Sequence, residues 1–190
     1  MKCGKPIRKD TEEYCYDCRK GGQNFECGKN LWVHQKAVSE AIYALKYKNR
    51  RIYGEIFAKE LTKNYGDFLK KQNVTLIIPI PLHKSRQRKR GYNQAEIIAK
   101  YLGEYTNIAV DGRSLVRVKK TKPQKQCNDK ERKKNIRNAF AVTHVIDAEN
   151  VVLIDDIYTT GSTINEAAKA LKASGVGKVF FLTVSIGQGY

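Results

Sequence analysis

Thirteen residues constrain the fold of this chain more than any others: Val151-Val-Leu-Ile-Asp-Asp-Ile-Tyr-Thr-Thr-Gly-Ser-Thr163. Val151 to Ile154 is an unbroken run of β-branched and aliphatic residues, the composition of a strand buried on both faces of a parallel sheet. Asp155 and Asp156 follow at once, where the carboxyl end of such a strand opens into a crevice. Beyond the hydroxyl cluster Thr159-Thr160-Gly161-Ser162-Thr163, the residues Ile164, Ala167, Ala168 and Leu171 keep helical spacing as far as Gly175, a glycine suited to stop the helix. Thr163 and Glu166 have the spacing of a capping box. A loop of this kind entering a helix presents backbone N–H groups and the positive end of the helix dipole, which suits a phosphate monoester. Two adjacent carboxylates repel such a phosphate and need another partner, either sugar hydroxyls or a divalent cation. Phosphate, diol and metal together describe a phosphorylated ribose.

The chain of 190 residues is long enough for one α/β domain and a small appendage. No apolar run approaches the length of a membrane span, and the first residues contain no apolar core of an export signal. A cytoplasmic protein is therefore expected. The formal net charge of +17 predicts attraction to polyanions: nucleic acid, nucleotides, pyrophosphate or acidic proteins. The charge is concentrated, with sixteen Lys and Arg against five Asp and Glu between His83 and Lys134. There is neither a Walker A loop nor G-x-G-x-x-G, which disfavours a P-loop NTPase or a Rossmann dehydrogenase. His34, His83 and His144 lack metal-site spacing and read as structural or surface residues. Only His83, beside Pro79-Ile80-Pro81-Leu82, is kept as a site candidate.

Cys15-Tyr-Asp-Cys18 is a C-x-x-C pair, with Cys3 before it and Cys27 after; Cys127 stands alone in the basic segment. In a reducing compartment this spacing points to a metal rather than to disulfides. Residues 1–30 have few large aliphatics and cannot bury a core of their own, and small units of that kind rely on a metal to fold. They are read as a zinc-ribbon-like segment ahead of an α/β domain at 31–190. Cys3-Gly4-Lys5-Pro6 resembles a zinc-ribbon knuckle, and a complete ribbon has two C-x-x-C pairs. The first pair shows only Cys3. Either the natural chain continues before Met1 with the missing cysteine, or Cys27 supplies the fourth thiolate. The alternative is a set of buried thiols without metal.

Helices are expected over 36–47, with Val38, Ala41, Ile42 and Leu45 inward, and over 52–65, with Ile52, Ile56, Leu61 and Tyr65 inward. Val74 to Ile80 reads as a strand ended by Pro79 and Pro81. A basic loop (Lys84, Arg86, Arg88, Lys89, Arg90) and a helix opened by Asn93, with capping-box spacing to Glu96, follow it. That order places cations at the carboxyl end of the sheet, the ligand side of an α/β fold. Residues 119–138 lack apolar anchors and read as a long loop. Residues 139–145 and 178–185 read as strands.

The Asp155-Asp156 run resembles the phosphoribosyl-pyrophosphate (PRPP) signature of type I phosphoribosyltransferases. Pro79-Ile-Pro-Leu82 and Arg90-Gly-Tyr-Asn-Gln94 are similar to motifs of the ComF (competence protein F) family, as are Leu115-Val-Arg117, Gln126, Arg132, Asn135 and Phe140 in that order. The resemblance spans nearly the whole chain. It implies a type I phosphoribosyltransferase-like parallel sheet flanked by helices, preceded by a structural Zn²⁺ ribbon held by Cys3, Cys15, Cys18 and Cys27.

It further implies that Asp155 and Asp156 hold the ribose hydroxyls, while Thr159, Thr160, Gly161, Ser162 and Thr163 hold the 5′-phosphate. Lys84, Arg86, Arg90, Lys125 and Arg132 would bind pyrophosphate, with Lys122, Lys130 and Lys133 as further candidates on a closing hood. The implied reaction displaces pyrophosphate from C1 of PRPP, with Mg²⁺, by a nitrogen nucleophile that the residues do not identify. Family context adds natural competence, the uptake of single-stranded DNA and a helicase-like partner. The alternative is a non-catalytic module that keeps the fold and binds nucleic acid or that partner. Tyr92, Tyr101 and Tyr105, among basic residues, are compatible with stacking on single strands.

Overall fold

The computed structural model describes residues 2–7, 12–120 and 135–187. A one-turn helix α1 (Tyr16–Arg19) lies within the cysteine segment, and strand β1 (Gly28–Val33) follows. Then come α2 (Lys36–Tyr47), α3 (Ile52–Lys71), β2 (Leu76–Pro79), α4 (Lys84–Arg90) and α5 (Gln94–Thr106). The chain continues through β3 (Ala109–Val110), β4 (Leu115–Arg117), β5 (Phe140–Val142), β6 (Asn150–Tyr158), α6 (Ser162–Ala173) and β7 (Lys178–Ile186).

Five strands form a parallel sheet in the order β1-β7-β6-β2-β3, and β4 pairs antiparallel with β5 in a separate ribbon. The central strands are apolar on both faces because both faces are covered. Val152, Ile154, Phe180, Leu182 and Val184 pack against α2, α3 and α5. Val151, Leu153, Val179 and Phe181 pack against α6, the ribbon and the cysteine segment. This is the expected α/β architecture with a parallel sheet flanked by helices.

Several local expectations are corrected. Residues 28–33, not foreseen as a strand, form the sheet edge, so the expected boundary at residue 30 falls inside β1. Gly28 belongs there because a Cβ would overlap the Phe181 ring. Helix α3 runs past Tyr65 to Lys71, and Ile52 and Ile56 are exposed. Its inward stripe is Gly54, Phe57, Ala58, Leu61 and Leu69, because Gly54 admits the Ile97 side chain of α5. The basic stretch after β2 is a helix: His83 caps it by accepting from Ser85 N at 3.2 Å, and Gly91 ends it in a left-handed conformation.

Asn93 caps α5 as expected, its Oδ1 accepting from Ala95 N at 3.1 Å. Thr163 is not the N-cap of α6: that place falls to Gly161, two residues earlier, and Glu166 accepts from Asn138 N at 2.9 Å. At its other end Gly175 takes φ 101° while Val176 N donates to Leu171 O and Gly175 N to Lys172 O, the paired bonds of a Schellman stop. No helix among the described residues is long and apolar enough to cross a membrane.

Candidate functional site

Strand β6 extends through Asp155 and Asp156 to Tyr158 rather than ending before the acids. Consecutive residues of a strand face opposite sides, and the two carboxyls have different surroundings although they still interact with each other. Asp156, 3% exposed, points into the layer of α2 and α5. There it is ion-paired with Lys46 of α2, and Gln94 Nε2 donates to its Oδ1 at 3.0 Å. Gln94 in turn accepts from the Arg90 guanidinium. Burial opposes charge on Asp156, but Lys46, with the bond from Gln94 in support, holds its carboxyl below the usual range.

Asp155 is only partly covered, and its Oδ1 accepts from the Asp156 backbone N–H at 2.8 Å. Burial first, and then the neighbouring Asp156 charge, raise the Asp155 carboxyl well above the ordinary range. On its side of the sheet Asp155 acts on Arg117 of β4, as does the Arg86 charge from α4. Arg117 is 9% exposed and lies 5.5 Å from the Phe140 ring. Burial, together with the Arg86 charge, brings its guanidinium down to about 10. Burial and the Arg90 charge likewise lower Arg86. Arg117 of β4 thus lies beside the Asp155 carboxylate, with the Arg86 charge of α4 next to it.

Beyond β6 the chain turns through Thr159 and Thr160 into Gly161, whose φ of 75° is costly for any residue with a Cβ. Gly161 is the N-cap of α6 and, as a glycine, brings no side chain to cap it, while Thr160 Oγ1 and Ser162 Oγ bond each other at 2.9 Å. A helix N-terminus with hydroxyls beside it is an environment that suits an anion. A cavity of about 460 Å³ lies between this loop and the cysteine segment, lined by Thr160, Gly161, Ser162, Lys20, Gln23 and Tyr158 among others.

Of the expected pyrophosphate residues, Arg90 bonds Gln94, the partner of Asp156, Arg86 lies near Arg90 and Arg117, and Lys84 is exposed on the first turn of α4. Lys125 and Arg132, with Lys122, Lys130 and Lys133, lie outside the described residues, as do Gln126 and Cys127. His34 and His144 bond Ser185 and Thr143 and take structural places. Lys46, Arg117 and Tyr158 were not singled out as site residues from sequence. Arg117 and Tyr158 stand inside quoted motifs, but Lys46 is one lysine among many, and no spacing marks it.

Cys3, Cys15 and Cys18 converge, their sulfurs all within 4.8 Å of one another and 3.4 Å apart for Cys3 and Cys15. Thiolates around a tetrahedral zinc sit about 3.8 Å apart, so the three fit three corners of such a site. Gly4, at φ 77°, makes the knuckle turn after Cys3. Burial raises the Cys3 and Cys18 thiols, and a bound cation would reverse that. Cys27, expected as a possible fourth ligand, sits ahead of β1 and packs with the α2–α3 layer, and its sulfur is not one of the three that converge.

The sequence model of the phosphoribosyl transferase domain matches residues 62–185. Competence protein F of Haemophilus influenzae is 30% identical over 183 residues, which span 93% of this chain and 80% of that one. The DNA utilization protein YhgH of Salmonella typhi is 26% identical over 194 residues, 93% of this chain and 85% of that one. Competence protein ComFC of Bacillus subtilis is 25% identical over 181 residues, 91% of this chain and 71% of that one.

Proposed function

The chain belongs to the phosphoribosyl transferase domain family, among the competence protein F relatives, and from that premise we propose that it binds PRPP with Mg²⁺ and transfers the phosphoribosyl group to a nitrogen acceptor. The observation that carries this reading is one continuous strand–loop–helix in which a partly open carboxylate, Asp155, stands near the end of β6 and the loop beyond it enters α6 through Gly161. Thr160, Gly161, Ser162 and their neighbours Thr159 and Thr163 would take the 5′-phosphate on backbone N–H groups and hydroxyls. Asp155 would accept from the ribose hydroxyls. Asp156, anchored by Lys46 and Gln94, acts from within: its N–H holds the Asp155 carboxylate, and its charge favours a ring that becomes cationic at C1.

In the transfer the C1–oxygen bond to pyrophosphate breaks as the bond to the acceptor nitrogen forms, and both bonding electrons leave with pyrophosphate. Arg86, Arg90 and Arg117 are the described cations placed to offset that charge, with Lys84, Lys125 and Arg132 as further candidates. Mg²⁺, when bound with the donor, would neutralise part of the leaving charge. Asp155 is the carboxylate of this chain open to it. Zn²⁺ would be held by Cys3, Cys15 and Cys18, with a fourth ligand outside this set, and would stabilise the knuckle. The names of the relatives, competence protein and DNA utilization protein, support a place in natural competence and DNA uptake.

A thermal melt tests the donor. PRPP and Mg²⁺ at a hundredfold the dissociation constant stabilise by about 2.7 kcal/mol, which for this size is roughly 5–10 °C. Asp155→Asn should abolish the rise. No shift at millimolar PRPP sinks the reading.

A second reading, a nucleic-acid or helicase-partner module, is favoured by a different surface. Tyr43 and Tyr47, 50% and 59% exposed, lie with ring centroids 4.9 Å apart, and Lys48 and Arg90 stand over their rings. Such a platform suits unpaired bases. The tyrosines expected for this role serve it less well. Tyr92 donates to Leu45 O, Tyr101 packs on the core, and Tyr105 donates to Glu55 Oε1. Single-strand affinity that falls steeply with salt and drops in Tyr43→Ala/Tyr47→Ala would support the module; salt-insensitive binding would not.

A further inference from the structure

A vicinal diol presents two hydroxyl donors, and two open carboxylates side by side would read both. Strand β6 does not leave both open. Asp156 Oδ2 is closed to solvent and ion-paired with Lys46, and its Oδ1 accepts from Gln94 Nε2 at 3.0 Å. Gln94 is itself 4% exposed and accepts from the Arg90 guanidinium, which stands 5.1 Å over the Tyr47 ring. The Tyr92 hydroxyl ties down the same end of α2 by donating to Leu45 O. Asp156 is thus held by groups from α2, α4 and α5.

A sugar hydroxyl is too weak a partner to release it. A bond from a neutral O–H to the carboxylate is weaker than one from an ammonium. Turning Asp156 outward would also strip Lys46 of its anion and Gln94 of its acceptor, in a place with little water to replace either.

Asp155 alternates with Val151 and Leu153, on the face of the sheet against which α6 packs. The Thr159–Thr163 loop leads into that helix, so a sugar whose 5-phosphate sits at its first turn meets β6 on the Asp155 side. There Asp155 Oδ1 already accepts from the Asp156 N–H at 2.8 Å. At most one oxygen of one carboxylate is left for the diol.

We propose that this site reads a single ring hydroxyl of a 5-phosphorylated pentofuranose, so that its substrate class extends to deoxypentose 5-phosphates. The two acids of the sequence motif would each take a hydroxyl if both were open; the ion pair with Lys46 and the bond from Gln94 withdraw one of them. A site that binds a substrate hydroxyl through a buried group rejects the analogue lacking it, whereas a hydroxyl left to water can be deleted at little cost. The inference rests on the sugar-phosphate reading above and narrows it to one hydroxyl.

The experiment is a phosphorus NMR titration of the full chain with three probes: the methyl furanosides of ribose 5-phosphate, 2-deoxyribose 5-phosphate and 3-deoxyribose 5-phosphate. The furanosides keep the ring closed, and Mg²⁺ is left out so that only the chain's own groups meet the sugar. One deoxy sugar should bind within about threefold of the ribose form and the other on the order of tenfold or more weaker, the loss of one bond to a charged acceptor. Asp155→Asn should weaken the ribose form and the tolerated deoxy sugar by the same factor. If both deoxy sugars are weakened to that extent, both hydroxyls are read and the proposal is overturned. It is overturned equally if neither is weakened, because the carboxylate then reads no hydroxyl. Both of those outcomes leave the sugar-phosphate reading standing. Failure of the ribose form to bind at millimolar concentration removes that reading and the inference with it.

Discussion

Replacing Lys46 by Met removes the charge that compensates Asp156 and keeps most of the aliphatic stem. Breaking a buried pair by deleting one partner costs about 3–5 kcal/mol, because the remaining charge is left in low dielectric. Asp156 is 4% exposed at its side chain and Lys46 18%, so some water reaches the pair and the cost should be near the lower end, about 3 kcal/mol. For a chain of this size that is roughly 6–12 °C in melting temperature, readable by urea unfolding at neutral pH. The pH dependence separates this cause from lost packing. In wild type the Asp156 carboxyl lies below its unfolded value, so its stabilisation is complete above that unfolded value and is lost as pH falls through the folded one. In Lys46→Met burial without the cation raises the folded value instead. The gap between the two proteins should therefore be widest near neutral pH, narrow as pH falls through the variant's raised value, and close once Asp156 is protonated in both. Adding Asp156→Asn to Lys46→Met should recover much of the loss, giving a strongly non-additive cycle. A Lys46→Met protein within 0.5 kcal/mol of wild type, or a gap that does not change with pH, would refute the role given to this pair.

Gly161→Ala meets both a φ of 75° and the Tyr158 hydroxyl; it should destabilise by about 1–3 kcal/mol and weaken phosphate binding, read by urea unfolding and by calorimetry with PRPP. Cys15→Ser with Cys18→Ser should remove bound zinc, expected at about one per chain in wild type, and lower the melting temperature; an unchanged metal content would exclude the cluster as its site. Asn93→Ala deletes the α5 cap and leaves Ile80 O without the bond from Asn93 Nδ2 at 3.0 Å. It should cost about 1–2 kcal/mol in chemical denaturation.

Legibility in the sequence followed the range of the interaction. The buried strand, the turn at Gly161 and the helix ending at Gly175 were all readable, because backbone period, left-handed glycine and apolar spacing act over a few residues. The thiol pair Cys15–Cys18 was readable for the same reason, as was the Asn93 cap. What failed was decided at longer range. The α3 stripe shifted because Gly54 admits Ile97, and Cys27 packs with a different core cluster from the three converging thiols.

The separation of the acids shows the same limit most sharply. By itself the sequence determined that two carboxylates and a phosphate-type loop lie on one strand–turn–helix, since neighbouring residues cannot be far apart. Only the tertiary structure decided that Asp155 lies beside Arg117 while Asp156 turns inward to Lys46 and Gln94. A charge or a hydroxyl selects its partner by distance in space. That distance is set by how the helices pack on the two faces of the sheet, which no local pattern encodes.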